Sequence, residues 1–284
     1  MKTDETFHER LKRDFGLDLP IGPGSGSSRD DPLVILASDP HTVALTQMLV
    51  LRCLGVALER LWRIVGRVPM KGEWANIDQV KIEAKNLTAT EIITDQVNHY
   101  FDVAELVVNG RAASEQNRET LCPLGYFDPK SGIALPYEIG WFHYHDTIAN
   151  EPNYPGLGDS IRFMALNSTA SLYVYDRNAR NIPERFDADF LHGEFAAAAS
   201  DVFQFDSSAS SAGDRRQTAS RLGAPYLRQD FKIGAERSVL ALTAARRRYV
   251  KLRITWSAEP LFDEIGNEFI DAFFDLVSIG NQAH

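Results

Sequence analysis

Apolar and polar residues alternate most clearly in the segment 156–178. The apolar positions of this alternation are Ile161, Phe163, Ala165, Leu172 and Val174. Other side chains stand between them, and the polar run 167–169 interrupts the pattern near its middle. A period of two residues is typical of a strand with one buried face. The segment is therefore predicted to form an antiparallel hairpin with one face against a core.

Two later segments have the spacing of amphipathic helices. In residues 187–205 the apolar side chains follow one another at steps of four and three, and an aspartate at 187 or 189 is placed to cap the first turn. In residues 261–279 the apolar side chains face one way and the acidic ones face the other. We expect both helices to flank the same antiparallel sheet.

The region between these helices is predicted to add strands to that sheet. Residues 249–256 alternate strictly and, together with residues 231–243, predict a second hairpin. Residues 207–220 are mostly small and polar, a composition that predicts a mobile loop. The second half of the chain is thus predicted to be a sheet between two helices.

The first half has a less regular pattern. Residues 4–15 and 43–54 carry apolar side chains at helical spacing, and Gly55 is placed to end the second of these helices. Alternation over residues 80–84 predicts a strand. The segment 90–108 fits both periods, and we interpret it as a strand. This half is therefore predicted to be a helix packed on a curved antiparallel sheet.

The length of the chain favours two domains, because 284 residues exceed the usual size of one. A polar stretch without periodicity follows residue 110 and is predicted to separate them. We predict an N-terminal α+β domain over residues 1–110, a linker over residues 111–123 and a C-terminal domain over residues 124–284. The predicted fold class is α+β, with an antiparallel sheet and flanking helices in each domain and an α/β/α sandwich in the second.

The order of elements in the second half adds a resemblance. A strand region passes through Leu135 and Pro136, a glycine-containing turn leads into residues 160–163, the strand 173–176 follows, and then come a helix, a pair of strands and a closing helix. This order, over residues 124–280, resembles the PsbP-like α/β/α sandwich, the fold of extrinsic photosystem subunits, small nuclear-import factors and many uncharacterised bacterial proteins. The resemblance implies a binding or assembly role, and no functional residue is carried over from it. The first half resembles no family.

The charge balance excludes some classes of partner. The formal net charge is −9, whereas binding to a phosphate backbone requires clustered lysines and arginines. We therefore expect no nucleic acid partner. The most apolar stretch, residues 43–58, is shorter than the ~20 residues of a spanning helix, and the charged N-terminus has no apolar leader. We interpret the sequence as that of a cytoplasmic protein without a membrane partner.

Motifs for a cofactor or a nucleophile are not found. The glycine run 22–26 lacks the ending of a phosphate-binding loop, and no nucleophile elbow occurs. Cys53 and Cys122 stand outside any metal-ligand spacing and are expected to be buried, reduced thiols, with a disulfide or a catalytic cysteine as alternatives. No cofactor is predicted.

Two groups of residues are candidates for binding another protein. Arg246, Arg247 and Arg248, together with Lys251 and Arg253, form the densest positive cluster of this acidic chain, and the predicted hairpin tip would display the arginines to solvent. They could dock an acidic partner or pair locally with the acidic face of the last helix. Tyr173 and Tyr175 share one face of a predicted strand, and tyrosines are enriched at interfaces, although packing under a helix is the alternative.

A metal site is the one enzymatic alternative that the sequence suggests. His143 and His145 would project to the same face of a strand, and Asp146 could complete a ligand set. A third ligand from elsewhere in the chain would be required.

Three functions follow from these features. The first is a non-catalytic binding or assembly module that recognises another protein. The second is a metal-dependent, hydrolase-like or small-ligand-binding protein that uses a cleft between the two domains. The third is a homo-oligomer formed through an exposed sheet edge.

Overall fold

The computed structural model describes residues 6–57, 60–87, 92–109 and 123–279. The chain divides into two compact units, Met1–Pro123 and Leu124–His284. The predicted linker lies outside the described residues except at Pro123. Both units combine helices with sheets, so the predicted α+β class is confirmed. Within the described ranges, no helix has the length and apolar character that crossing a bilayer requires.

The first unit contains a mixed sheet. Its elements are α1 (Phe7–Phe15), β1 (Leu33–Val34), α2 (Pro40–Ala57), β2 (Leu61–Pro69), a 3₁₀ turn (Gly72–Trp74), β3 (Ile77–Leu87), β4 (Ile92–Asp102) and α3 (Ala104–Asn109). The strand order is β1-β4-β3-β2, and β2, β3 and β4 are antiparallel neighbours. However, β1 pairs with β4 in parallel. The predicted antiparallel pairing therefore holds for β2, β3 and β4, whereas β1 is a parallel strand that α2, β2 and β3 separate from β4 along the chain.

Two local predictions for the first unit have different outcomes. Gly55 does not end α2, which continues to Ala57. A Cβ atom at Gly55 would lie 2.0 Å from the indole Nε1 of Trp62 on β2, so the glycine is explained by close packing of β2 on α2. The strand predicted within 90–108 is confirmed over Ile92–Asp102, whereas Ala104–Asn109 is helical.

The second unit is built on a large antiparallel sheet. Its elements are β5 (Leu124–Phe127), β6 (Ala134–Pro136), β7 (Glu138–Ile139), β8 (Phe142–Ala149), β9 (Asp159–Ala165), β10 (Ser168–Tyr175), α4 (Ala188–Phe205), β11 (Ala209–Ser211), β12 (Arg216–Ala219), β13 (Pro225–Ile233), β14 (Glu236–Ala245), β15 (Arg248–Ser257) and α5 (Pro260–Ile279). The order of the main sheet is β11-β13-β14-β15-β10-β9-β8-β7, with β12 also paired to β13. β5 and β6 form a separate pair.

The hairpin and both helices of the second unit are confirmed. β9 and β10 pair antiparallel across a short turn that contains Asn167 in the left-handed region, with φ 52°. Ile161 and Leu172 are directly opposite each other and fully buried. Asp187 caps α4, because its side chain accepts a hydrogen bond from the amide of Phe190. α5 spans Pro260–Ile279, close to its predicted bounds.

Two predictions around β13 are confirmed or corrected by the strand pairing. Residues 207–220 are not simply a loop, since β11 and β12 each pair with β13. The second predicted hairpin is confirmed between β14 and β15, which pair antiparallel, but residues 231–243 span two strands, since β13 ends at Ile233 and β14 begins at Glu236. Gly234 has φ 57° in the turn between them, a conformation that glycine adopts without strain. Short strands of small polar residues are stabilised by their pairing with β13, which local composition does not reveal.

The two helices cover opposite faces of the main sheet. α4 lies against β11, β13 and β14, and its Leu191 and Phe195 share a core cluster with Leu240 and Leu242. α5 covers the other face, where the ring of Phe269 contacts aromatic rings of β8 and β9. The predicted α/β/α sandwich is thereby found in this unit. α4 covers its face of the sheet mainly over β11, β13 and β14. On the same face, the neighbouring strands β15, β10, β9 and β8 carry mainly polar residues.

Candidate functional site

Strand register places two rows of side chains on the part of the sheet that lies beside α4. Moving from β8 through β9 and β10 to β15, the first row is Ile148, Ser160, Tyr173 and Lys251. The second row, in the same strand order, is Asp146, Arg162, Ser171 and Arg253. Tyr175 is two residues from Tyr173, and Tyr249 is two residues from Lys251, so both point to the same face as the first row. Both belong to the core cluster under α4, which shows that the rows lie on the face that α4 packs against. We call these two rows the open face.

A pocket of about 400 Å³ opens at the first row. Its floor is formed by Tyr173, Tyr175 and Lys251, and its walls include Arg177 and Asp201, which lies on α4. Cross-strand neighbours such as Tyr173 and Lys251 have their Cβ atoms about 5 Å apart. The pocket is therefore built where β10 and β15 meet, from residues that are distant in sequence.

Lys251 is the most unusual group of the pocket. Its Nζ lies 4.3 Å from the ring centroid of Tyr173 and 5.7 Å from that of Tyr175. The ammonium group makes no hydrogen bond or ion pair with any residue of the described ranges. Burial lowers the pKa of Lys251, and the carboxylates of Asp201 and Glu194 oppose that effect only from a distance. The aromatic faces attract the cation, yet they leave its donors unsatisfied.

The wall beside Tyr175 is, in contrast, fully paired. The Tyr175 hydroxyl donates to Glu194 Oε1 at 2.7 Å, and Arg177 Nε lies 2.8 Å from Glu194 Oε2. Burial, together with the Glu194 carboxylate, raises the pKa of the Tyr175 hydroxyl. The hydrogen bond to Glu194 raises the pKa of Arg177. Arg177 and Glu194 thus neutralise each other in the wall of the pocket. Lys251 is the cation of the pocket that remains available to a ligand.

The outer rim of the pocket includes exposed apolar side chains. Tyr154, 63% exposed, and Leu157, 40% exposed, line the pocket, and Ile148 of the first row is 51% exposed. Tyr154 and Leu157 lie in the loop between β8 and β9, which Glu151 holds by accepting hydrogen bonds from the amides of Gly156 and Gly158 at 2.9 and 3.1 Å. A defined loop thus presents these apolar side chains to solvent.

Glu151 is expected to control the order of this rim in a pH-dependent way. The two amide hydrogen bonds lower the pKa of Glu151 in the folded protein. They therefore stabilise the loop fully at pH values above the ordinary pKa of a glutamate, and this stabilisation is lost as the pH falls through the lowered pKa. The amide resonances of Gly156 and Gly158 should therefore titrate together with an apparent pKa below the ordinary value of a glutamate, as NMR would measure. Glu151→Gln should abolish this titration. A shared titration at or above that value would contradict the assignment.

Tyr173 and Tyr175, predicted to bind a partner, have different environments. Tyr173 is half-buried on the open face and meets Lys251. Tyr175 is only 3% exposed and stacks in the core cluster beneath α4, with its ring centroid 5.3 Å from that of Tyr249. Tyr173 thus remains available as a contact residue, whereas Tyr175 forms the pocket floor.

The three arginines predicted at a hairpin tip do not form one surface. Arg246 and Arg247 occupy the turn between β14 and β15, with φ values of 51° and 60°. The side chain of Arg247 is 73% exposed and pairs with Glu184 at 2.8 Å. The side chain of Arg248 is only 13% exposed and pairs with Asp128 and Asp176. The prediction that all three arginines are displayed to solvent is therefore wrong for Arg248. The arginines do pair locally, but Arg247 and Arg248 pair with acids of loops and strand ends and not with the last helix.

The arrangement of the candidate metal ligands departs from a regular strand. A β-bulge between Tyr144 and Asp146 interrupts the alternation that was expected to align His143 with His145. His143 is buried, and Arg162 binds both carboxylate oxygens of Asp146. Among the described residues, no group of three or more histidines, cysteines and acids could hold a metal ion. The third ligand that the prediction required is therefore not found there.

The cysteine prediction has a partial outcome. Cys53 is free and buried in the core of the first unit, and burial raises the pKa of its thiol to about 11. A thiol with this pKa is a poor nucleophile at neutral pH. Cys122 lies outside the described residues.

The sequence grouped Lys251 and Arg253 with the positive cluster of the hairpin, but it did not place them beside Tyr173 and Ser171. Both occupy the polar positions of the alternation in 249–256, so the pattern assigned them to the face opposite the core residues. Their neighbours Tyr173 and Ser171 follow only from the pairing of β10 with β15, which no local pattern encodes.

Comparisons with known proteins show a likeness of fold only. No protein-family model matches the chain, and no curated protein matches it. The solution structure of cyanobacterial PsbP (CyanoP) from Synechocystis sp. PCC 6803 is similar to 56% of this chain and 91% of that one, with 18% sequence identity and a TM-score of 0.34. The predicted weak resemblance to the PsbP-like fold is thus confirmed.

Proposed function

We propose that the second unit is a non-catalytic binding module that docks another protein on the open face and the adjoining pocket. The observation that carries this proposal is a desolvated ammonium group without a polar partner, Lys251, in a pocket with an exposed apolar rim. Interfaces commonly combine exposed apolar side chains and tyrosines with a few polar groups that fix orientation.

The extent of the face favours a protein over a small molecule. The pocket occupies only the first row, and the second row continues the same surface with Ser171 and Arg253. A small ligand would be enclosed on most of its surface, whereas this site is an open sheet surface with one recess. An acidic chain with a local group of cations also suits a partner of opposite local charge.

The test uses short peptides that are selected on the protein from a phage-displayed library of random dodecapeptides. Synthetic copies should bind at least about fivefold more weakly to Leu157→Ser and to Tyr173→Ala, because truncation of a central contact costs over ~1 kcal/mol. Leu222→Ser is the matched control, since Leu222 is 70% exposed on the turn between β12 and β13. Its affinity should equal that of the wild type.

Two results would oppose the proposal. Selected peptides that bind both variants as well as the wild type would show that the surface they use is elsewhere. Failure to select any peptide whose binding depends on Leu157 or Tyr173 would have the same meaning. Far-ultraviolet circular dichroism of each variant controls for loss of the fold.

A further inference from the structure

The cations of the open face have a regular spacing. Lys251 and Arg253 are two residues apart on β15, so both side chains point to the α4 side of the sheet. Alternate residues of a strand are about 6.7 Å apart. A partner in extended conformation has the same spacing between its own alternate side chains.

Neither of these cations is neutralised by an ion pair. The Lys251 ammonium lies over tyrosine rings, and neither it nor Arg253 makes an ion pair within 4 Å with any carboxylate of the described residues. The third cation of the face, Arg162, differs because Asp146 binds it through two hydrogen bonds. Among the described residues of the face, Lys251 and Arg253 on β15 are therefore the positive groups without an ion pair.

The nearby acids do not replace a ligand. Glu194 is held by Arg177 and the Tyr175 hydroxyl. Asp201 lines the pocket without reaching Lys251, and Asp206 acts on Arg253 only at long range. A half-buried ammonium without a hydrogen-bond acceptor is unfavourable, and a carboxylate that entered the pocket would relieve this cost.

We infer that the open face recognises an extended protein segment with acidic residues at alternate positions, of the form acid-x-acid. One carboxylate pairs with Lys251 inside the pocket, and the next pairs with Arg253 in the neighbouring row. The ligand main chain runs over Tyr173 and Ser171, and an apolar residue beside the first acid meets the rim at Leu157. This inference rests on the proposed function and specifies the partner of the same site.

The decisive probes are two capped peptides of equal composition and charge. One contains Glu-Thr-Glu, and the other contains Glu-Glu-Thr in the same flanking sequence. The first should bind about fivefold more tightly, because only alternate glutamates reach both cations at once. Fluorescence anisotropy of the labelled peptides at two salt concentrations measures the affinity and its electrostatic share.

Matched variants of the protein assign the effect to the two cations. Lys251→Met and Arg253→Met should each weaken binding of the Glu-Thr-Glu peptide by roughly tenfold and remove the preference for alternate spacing. Lys232→Met removes an equal charge from an exposed position of β13 and should change neither. Asp201→Asn removes a competing carboxylate from the pocket and should tighten binding by about threefold.

The outcomes separate this inference from the proposed function. Equal affinity for the two peptides, or equal binding by Lys251→Met and the wild type, overturns the inference. If library peptides still depend on Leu157 and Tyr173 in that case, the docking surface stands and only the acid-x-acid specificity is wrong. If no peptide of either kind depends on these residues, the proposed function fails as well.

Discussion

Replacing Arg248 with methionine is expected to lower the free energy of unfolding of the second unit by about 3 kcal/mol. The Arg248 side chain is 13% exposed and bridges Asp128, 11% exposed, and Asp176, 23% exposed. Without the guanidinium, two mostly buried carboxylates lose their counter-ion. Removal of one partner leaves the other charge buried without compensation, and this costs more free energy than the intact pair contributes to stability.

The bridge also joins three parts of the second unit. Asp128 accepts hydrogen bonds from the amides of Lys130 and Ser131 and so shapes the turn between β5 and β6. Asp176 follows the end of β10, and Arg248 begins β15. The substitution should therefore increase hydrogen exchange both in that turn and at the end of β10.

Its control is the neighbouring Arg247→Met. The pair between Arg247 and Glu184 is 73% and 68% exposed, so its loss should cost less than about 1 kcal/mol. Urea unfolding followed by pulsed hydrogen exchange reports on the second unit separately from the first. Equal losses for the two substitutions would show that Asp128 and Asp176 are hydrated and that Arg248 is not a structural residue.

This contrast illustrates what the sequence could and could not predict about the candidate site. Three consecutive arginines form one cluster in the sequence, but the hairpin turn consists of Arg246 and Arg247, both in the left-handed region, and Arg248 already belongs to β15. The environment of Arg248 depends on acids from two distant loops. Tertiary contacts of this kind have no local sequence signal.

The fold was predictable where a period persisted over many residues. The hairpin of β9 and β10 and the helices α4 and α5 followed from alternation and helical spacing. Short or paired elements were not predictable, because β1, β11 and β12 have two to four residues and are stabilised by their neighbours. Position in a sheet, and not composition, determines whether such segments are strands.

The same limit applies to the chemistry of the site. Tyr173 was selected from its residue type, whereas Lys251 gains its importance from lying opposite Tyr173 across two strands. A lysine in an alternating strand is ordinarily a solvated residue. The strand register, the loop between β8 and β9, and Asp201 of α4 together enclose it.

The second large effect is expected for Phe269→Ala on α5. Phe269 is fully buried, and its ring centroid lies 4.4 Å from that of Phe142 and 5.9 Å from that of Phe163. These contacts join α5 to β8 and β9. Removal of a buried aromatic side chain leaves a cavity and costs about 3–5 kcal/mol, so the second unit should unfold at a markedly lower urea concentration.

Phe205→Ala on α4 is the control for this substitution, because Phe205 is 82% exposed and its truncation should change the free energy of unfolding by less than about 0.5 kcal/mol. Phe269→Leu should lose less than Phe269→Ala, since a leucine fills part of the cavity. The open face lies on the opposite side of the sheet. If Phe269→Leu retains the fold, its peptide affinity should equal that of the wild type, and a loss of affinity without a loss of stability would show that the two faces of the sheet are coupled.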